Sequence, residues 1–312
     1  MTDVAPEVGT LDPWVADWFA ANPMFGQPFE DFSPEILELA RSPIGAPPTR
    51  EIAKVTDDIV AGVPVRFYEP DGAPTGLVVY FHGGGFCIGS IGLMDNVARE
   101  IAHGTGAAVI SVEYRLAPEH PYPAGLDDCE AVTRWAIANA ARFGTTPARV
   151  AVAGESAGGN MSAVVALRLR DDAPDALAAQ VLIYPATAGG AGEFASRAEF
   201  EGIVLTARSM QMYDESYSGG RDLSGDPFVG PLQAETLAGL PPAIVVLGGC
   251  DPLRDEGIAY AERLRADGVA VEEVMCAGQP HGFVNFGGFP AAAVAFERIG
   301  NWVRGVFESR MS

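Results

Sequence analysis

Hydrophobic residues in this chain fall into short, nearly continuous runs that alternate with stretches of helical periodicity. The runs between residues 76 and 278 are "GLVVYF", "AAVISVE", "RVAVAG", "AAQVLIYPA", "PPAIVVLGG" and "AVEEVMCAG". Unbroken Val, Ile and Leu runs are typical of strands buried on both faces, because a strand with one solvated face alternates. Helical patterns such as "DEGIAYAERLRADG" separate the runs. The pattern predicts an α/β fold with a mostly parallel central sheet and helices on both faces.

Two segments interrupt this alternation. Residues 1–50 contain two short amphipathic helices, which begin at Asp12 and Ser33, because each residue can cap a helix and is followed by proline. The stretches "EIAKVTDDIV" and "VPVRFYEP" then predict an antiparallel hairpin. Residues 188–226 separate two strands by far more than an ordinary loop. Insertions of this length are usually lids or binding elements.

The chain has 312 residues and a formal net charge of −21 at pH 7. Nucleic acids and anionic membranes require a cationic face, so we expect neither nucleic-acid binding nor stable membrane association. The N-terminal stretch "MTDVAPEVGT" lacks a signal region, and no apolar run approaches the ~20 residues of a membrane span, which predicts a cytoplasmic protein. The four cysteines show no CxxC pairing and are expected to be reduced and buried, with a Cys250–Cys276 bridge as the minor alternative.

Ser156 lies in "VAVAGESAGGN", where an apolar strand passes through Gly154-Glu155-Ser156-Ala157-Gly158 into a helical pattern. A G-x-S-x-G turn between strand and helix is tight and strained. It holds the serine hydroxyl at the carboxyl end of the sheet, beside a helix N-terminus. The motif predicts a nucleophile, and the alternative is a serine that only caps the helix after a glycine turn.

A nucleophilic serine needs a general base near neutral pH. The chain has four histidines, at His82, His103, His120 and His281. Where such an elbow carries a catalytic triad, the chain order is serine, acid, histidine, which selects His281. Asp251 follows the strand "AIVVLGG" and is the predicted acid. Asp255 opens the next helix and is better explained as a cap or first-turn charge, and Asp226 lies in the insertion without a strand to hold it.

A glycine-rich loop, His82-Gly83-Gly84-Gly85, follows the strand "VVYF". Glycines let backbone N–H groups turn toward one point, so donors from this loop and from Ala157 would bind a carbonyl oxygen. The alternative is a phosphate-binding loop. It is disfavoured because the stretch matches neither G-x-x-x-x-G-K-[ST] nor G-x-G-x-x-G.

Five motifs occur together, in the order "HGGGF", "GESAGG", "EYRLAPEHPYPA", "DPLRDEG" and "HGF". In order and approximate spacing they resemble the hormone-sensitive-lipase-like esterases (bacterial family IV) of the α/β-hydrolase superfamily, over about residues 50–310. The resemblance implies a catalytic triad of Ser156, Asp251 and His281. It also implies that Gly84, Gly85 and Ala157 donate the oxyanion hydrogen bonds. His82 and Gly83 would support the loop.

The resemblance further implies a helical cap made of residues 1–50 and of the insertion at about residues 188–226. The catalytic α/β-hydrolase domain would then span residues 51–312. Glu155 stands where many members carry aspartate, and the longer acid is expected to alter hydrogen bonding behind the elbow without displacing the nucleophile.

These features predict a serine carboxylesterase that hydrolyses short- to medium-chain soluble esters through an acyl-enzyme, without metal or cofactor. The alternatives are a specialised hydrolase of amides, lactones or acetyl esters, and a non-catalytic receptor, which the presence of His281 disfavours. We expect a monomer or homodimer with a small-molecule substrate. Ester sites are mostly apolar. The predicted pocket residues are Trp18, Phe25, Phe86, Met210, Tyr213 and Phe283.

Overall fold

The computed structural model describes residues 7–23 and 31–311 of the chain. Within these ranges the strands are β1 (Lys54–Val60), β2 (Val63–Glu69), β3 (Leu77–Phe81), β4 (Ala108–Val112), β5 (Val150–Glu155), β6 (Ala179–Ile183), β7 (Ala243–Cys250) and β8 (Val271–Pro280). The α-helices are α1 (Pro13–Ala21), α2 (Pro34–Ala40), α3 (Asp95–Thr105), α4 (Ala124–Ala138), α5 (Ala157–Asp172), α6 (Ala195–Glu199), α7 (Ala207–Ser218), α8 (Arg254–Ala266) and α9 (Pro290–Ser309).

The described strands form one sheet in the order β1-β2-β4-β3-β5-β6-β7-β8. The β1–β2 and β2–β4 pairs are antiparallel, and every later pair is parallel. The predicted hairpin is therefore confirmed, as is the mostly parallel sheet. Because parallel strands point the same way, the carboxyl ends of β3, β5, β7 and β8 share one edge.

The central strands are buried along their whole length, as their continuous apolar runs predict. Two hydrophobic clusters lie on opposite faces of the sheet. One contains Val152 and Val245 together with helices α4, α5 and α8, and the other contains Val181 and Val246 together with α3 and α9. The sheet is thus a rigid central layer between two helical layers, and it fixes whatever its carboxyl edge carries.

Both helix starts predicted in the N-terminal segment are confirmed. The Asp12 side chain accepts a hydrogen bond from the Trp14 N–H at 2.9 Å, and Ser33 Oγ accepts one from Ile36 N at 3.3 Å. The insertion contributes α6 and α7, and α7 begins with a capping box between Thr206 and Ser209.

The four cysteines are free thiols, so the Cys250–Cys276 bridge is not formed. Cys87, Cys129 and Cys250 are buried as predicted, whereas Cys276 is only partly buried. None of the helices in the described ranges is both long enough and apolar enough to span a bilayer.

Candidate active site

Ser156 forms the elbow between β5 and α5, with φ 56° and ψ −118°. This left-handed conformation is strained for a residue with a side chain, and only close packing around it keeps it in place. A Cβ at Gly154 would lie 2.2 Å from the Gly158 carbonyl oxygen, and one at Gly158 would lie 1.9 Å from the Phe81 carbonyl oxygen. The glycines of the G-x-S-x-G motif are therefore required for β5, α5 and β3 to meet here.

Asp251, His281 and Ser156 form one hydrogen-bonded line. His281 Nε2 lies 2.9 Å from Ser156 Oγ, and His281 Nδ1 lies 2.8 Å from Asp251 Oδ2. These residues directly follow β7, β8 and β5, so the sheet edge brings them together from distant parts of the sequence. With the Nδ1 proton donated to Asp251, Nε2 is free to accept the Ser156 hydroxyl proton.

Asp251 is fixed by its surroundings. Its side chain is fully buried, and Oδ1 accepts a hydrogen bond from Leu253 N at 2.7 Å, which leaves Oδ2 for His281. The Tyr184 ring packs edge-on against the imidazole, with the ring centres 4.8 Å apart. The imidazole is therefore constrained by a hydrogen bond on one side and by an aromatic contact on another.

The competing carboxylates lie elsewhere. Asp255 is in the first turn of α8 and accepts hydrogen bonds from Ser196 N (2.9 Å) and Arg254 Nε (2.8 Å). Burial tends to raise the pKa of Asp255, but these hydrogen bonds outweigh burial and hold the pKa below its usual value. Asp226 accepts hydrogen bonds from the Tyr122 hydroxyl and Phe228 N. Both acids are engaged in joining chain segments to each other.

His82 supports the glycine-rich loop. Its ring is fully buried, stacks on Tyr114 with ring centres 4.4 Å apart, and donates from Nδ1 to the Gly83 carbonyl oxygen at 2.8 Å. Burial lowers the pKa of His82, more than the nearby Glu113 raises it. The ring is therefore neutral near pH 7 and holds the loop in shape.

The glycine-rich loop leaves N–H groups unused beside Ser156. Gly84 has φ 117° and Gly85 has φ 56°, which turn the chain sharply after β3. Among the described residues, the N–H groups of Gly84, Gly85 and Ala157 donate to no protein acceptor, and all three residues line the same cavity as Ser156. Gly83 differs, because its N–H donates to Glu155 Oε1 at 2.6 Å.

Glu155 lies behind the elbow and is fully buried. Besides the Gly83 N–H, it accepts a hydrogen bond from the Tyr80 hydroxyl at 2.8 Å on Oε2. Burial raises the pKa of Glu155 to about 8, although both hydrogen bonds act to lower it. The acid thus joins the end of β5 to the glycine-rich loop, and the two predicted parts of the site share one buried carboxyl group.

A cavity of about 950 Å³ opens above Ser156 and His281. We call the surface formed by Ser156, Ala157, His281, Gly84 and Gly85 the sheet-side wall. The opposite surface, which we call the cap-side wall, is formed by lining residues of segment 39–46 and of α7. Within the described ranges, no three His, Cys, Asp or Glu side chains are grouped to hold a metal ion.

The structure brings three of the predicted pocket residues into this cavity: Phe86, Met210 and Tyr213. Phe25 lies outside the described residues. Trp18 and Phe283 do not line the cavity, which corrects the prediction. Trp18 contacts Phe286 and Phe289, with ring centres 5.5 and 5.1 Å apart, and Phe283 is fully buried beside Tyr184. The side chains at both positions pack against other aromatic rings.

The cavity is also lined by the polar residues Arg197, Asp214 and Glu256, which were not predicted because all of the predicted pocket residues are aromatic or Met. One signal was available. On helix α7, Tyr213 and Asp214 follow Met210 by three and four residues and precede Tyr217 by four and three, so all four lie on one face. A pocket prediction that includes Met210 and Tyr213 should therefore have included Asp214.

A profile of the family described as the alpha/beta hydrolase fold matches residues 78–285. Esterase LipI of Mycobacterium tuberculosis is 36% identical over 307 residues, with 96% of each chain covered. Carboxylesterase NlhH of the same species is 44% identical over 250 residues, or 77% of each chain. The chain belongs to the hormone-sensitive-lipase-like esterases of the α/β-hydrolase superfamily.

Solved structures agree with this membership. A hyperthermophilic esterase from Pyrobaculum calidifontis superposes with a TM-score of 0.85 at 34% identity, covering 95% of this chain and 98% of the other. The likeness extends over nearly the whole chain, so the α/β-hydrolase fold predicted from the motifs is confirmed together with the family.

Proposed function

We propose that this α/β-hydrolase is a serine carboxylesterase that cleaves short- to medium-chain carboxylic esters, with Ser156 as nucleophile. The single observation that supports it best is the hydrogen-bonded line from buried Asp251 through His281 to Ser156, which ends in a large cavity. A buried acid, an oriented imidazole and a strained serine are the parts that acyl transfer needs.

In the first half-reaction, Ser156 Oγ attacks the ester carbonyl carbon while His281 Nε2 takes the hydroxyl proton. Asp251 stabilises the imidazolium that forms. The carbonyl oxygen becomes an oxyanion, and the N–H groups of Gly84, Gly85 and Ala157 donate hydrogen bonds to it. The tetrahedral intermediate then collapses, the bond to the alcohol oxygen breaks, and His281 gives its proton to the leaving alcohol.

In the second half-reaction, a water molecule attacks the acyl-enzyme and His281 takes its proton. A second tetrahedral oxyanion forms in the same N–H site and collapses to the free carboxylic acid. The proton on His281 returns to Ser156 Oγ, so the enzyme is regenerated. Neither half-reaction requires a metal or a cofactor.

Residues 1–50 and about 188–226 act as a cap on a catalytic domain of residues 51–312 in this proposal. Cavity-lining residues from both segments support it: Leu39 and Ile44 from the first, and Met210 and Tyr213 from the second. A cavity near 950 Å³ is at the upper end for small-molecule sites, which suits acyl chains of several carbons. Among relatives, an ethyl acetate hydrolase of Pseudomonas putida is 34% identical over 232 residues.

The net charge of the protein bears on its possible partners. We propose a cytoplasmic enzyme, monomeric or homodimeric, that acts on small-molecule esters without nucleic-acid or stable membrane partners. The net charge of −21 supports the absence of nucleic-acid and stable membrane partners, because anionic polymers and surfaces would repel such a protein.

The test is hydrolysis of p-nitrophenyl esters from acetate to palmitate by wild type, Ser156→Ala and His281→Ala. We expect the highest kcat/KM for short to medium chains and a loss of roughly 10⁵–10⁶-fold in kcat for either variant. Ser162→Ala is the matched control, because this helix α5 serine donates to the Gly158 carbonyl oxygen and lies outside the cavity lining. A folded Ser156→Ala enzyme with substantial activity would refute the mechanism.

A further inference from the structure

One corner of the cavity is polar, although most of its lining is not. Arg197 of α6, Asp214 of α7 and Glu256 of α8 all line the cavity that contains Ser156. These residues take no part in the proposed acyl transfer. Charged side chains placed in a binding cavity usually fix the orientation of a ligand, so their own partners decide what they can bind.

Two of the three charges compensate each other. Arg197 Nη2 lies 2.6 Å from Glu256 Oε2, and the Glu256 side chain is 2% exposed. The other Glu256 oxygen accepts hydrogen bonds from Thr187 N at 2.8 Å and Ala188 N at 3.2 Å. Glu256 is therefore fully engaged, and it neutralises the guanidinium of Arg197.

Asp214 is different, because no described residue donates a hydrogen bond to its carboxylate. The side chain is exposed, but it faces the cavity, so protein surrounds much of it. This partial burial and the nearby Glu256 raise the pKa of Asp214 to about 6, and Arg197 acts to lower it. A Cβ at Gly190 would lie 3.3 Å from Asp214 Oδ2, so the lack of a side chain there keeps the carboxylate uncovered.

We propose that Asp214 is a specificity residue that binds a protonated amine carried by the ester substrate. This inference rests on the proposed ester hydrolysis. With one positive and two negative groups, the Arg197–Asp214–Glu256 corner carries a net charge of −1, so it favours a cation that can also donate a hydrogen bond. A charge-assisted hydrogen bond to an ionised carboxylate is the strongest contact that this corner can offer.

The test compares two esters of the same shape, 2-(dimethylamino)ethyl butyrate and 3-methylbutyl butyrate. They differ where a protonated nitrogen replaces a C–H group, and their hydrolysis can be followed by pH-stat titration. Wild type should have the higher kcat/KM for the amine ester. Asp214→Asn should lower the amine-to-isostere ratio by roughly 10–100-fold, as expected for one hydrogen bond to a charged group.

Asp222→Asn is the matched control. It removes the same charge from the same insertion but lies outside the cavity lining, so it should leave the ratio unchanged. Activity of Asp214→Asn on 3-methylbutyl butyrate is the denominator of its ratio, and measurable hydrolysis of this ester reports that the variant is folded.

The pH profile gives a second readout. The titratable and charged groups near Asp214 are Glu256, Arg197, Cys87 after the glycine-rich loop and, on its own helix, Glu215. In wild type the amine-to-isostere ratio should rise as pH increases through about 6, where Asp214 ionises, and it should be flat in Asp214→Asn. Protonation of the triad affects both esters alike and cancels in the ratio.

Equal kcat/KM for the two esters in wild type, or an undiminished ratio in Asp214→Asn, overturns the inference. Either result leaves the proposed function intact as long as both esters are hydrolysed and Ser156→Ala is inactive. Failure of wild type to hydrolyse either ester or any p-nitrophenyl ester would instead refute the proposed function and, with it, this inference.

Discussion

The sheet-side and cap-side walls of the cavity are built in different ways. On the sheet side, Asp251 and His281 are buried. Asp251 follows β7, which pairs with both β6 and β8, and His281 follows β8, which pairs with β7. On the cap side, Leu39 and Ile44 are 68% and 79% exposed. The reacting groups are therefore fixed by the core of the fold, whereas the cap-side groups that face the substrate are more exposed and less constrained.

A small number of polar contacts attach the cap-side wall to residues 87–89, which follow the glycine-rich loop, and to residues 117–119, which follow β4. Arg41, just after α2, donates from Nε to the Cys87 carbonyl oxygen and from Nη2 to the Ala117 carbonyl oxygen, both at 2.7 Å. It also forms a two-point ion pair with Glu119. The Gly89 N–H donates to the Ala40 carbonyl oxygen at 2.9 Å. Removing these contacts should therefore disturb the cap-side wall before it disturbs the sheet.

The largest expected effect is on the sheet side. Asp251→Asn should lower kcat by about 10⁴-fold, because an amide can no longer fix the imidazole tautomer or stabilise its charge. Asp255→Asn removes the neighbouring acid, which bonds Ser196 and Arg254, and should cost less than about tenfold. Steady-state kinetics on one p-nitrophenyl ester decides between them, and a greater loss for Asp255→Asn would reverse the assignment of the acid.

The second effect is on stability behind the elbow. Glu155→Ala leaves a cavity and two unsatisfied donors, Gly83 N–H and the Tyr80 hydroxyl, and should lower the free energy of unfolding by about 2–5 kcal/mol. Glu155→Gln keeps the size and one acceptor, so its loss should be smaller. Urea denaturation at fixed pH measures both. Equal stability of Glu155→Ala and wild type would show that this carboxyl group does not join the two parts of the site.

The pH dependence of Glu155 has a definite sign. Its pKa is about 8 in the folded protein, against an ordinary value of 4.5 for a glutamate in the unfolded chain, so the folded state binds the proton more tightly. The stability from this protonation is present below pH 4.5 and is lost as pH rises toward 8. The stability of wild type relative to Glu155→Gln should therefore fall over this range. A difference independent of pH would contradict the raised pKa.

A smaller effect is expected from the cap-side attachment. Arg41→Ala should lower the free energy of unfolding by about 1–3 kcal/mol, since two buried carbonyl groups lose their donor. Glu119→Gln should cost less than about 1 kcal/mol, because Glu119 is half-exposed and such pairs contribute little. Thermal unfolding of both variants is the measurement. A larger loss for Glu119→Gln would place the attachment in the ion pair instead of the carbonyl contacts.

The smallest effect concerns selection among substrates. Met210→Ala enlarges the cavity on the cap side and should shift the acyl-length preference toward longer chains, by about tenfold in the ratio of kcat/KM values. The variant should leave kcat on the best substrate nearly unchanged. Trp18→Ala is the comparison, because Trp18 packs on Phe289 outside the cavity, and it should reduce stability without changing the preference. A changed acyl-length preference in Trp18→Ala, with an unchanged preference in Met210→Ala, would show that Trp18 contacts the substrate and Met210 does not.

The residues of the sheet-side wall could be predicted from the sequence because short sequence motifs mark their positions. The glycines around Ser156, the histidine after the last strand and the aspartate after β7 each mark the end of a strand, and parallel strands end at one edge. The cap side could not be read in this way. Trp18, Phe283 and Asp214 take their positions from long-range packing, and neither hydrophobicity nor charge says whether a side chain faces a cavity or a neighbouring ring.

The most direct test of the central claim is covalent labelling with diethyl 4-nitrophenyl phosphate, followed by peptide mass mapping. A serine activated by His281 attacks the phosphorus and releases nitrophenolate, which leaves a stable diethylphosphoryl group. We predict one such group on Ser156 in wild type, parallel loss of activity, and no label in Ser156→Ala. Complete inactivation of wild type with the label on any residue other than Ser156 would contradict the account.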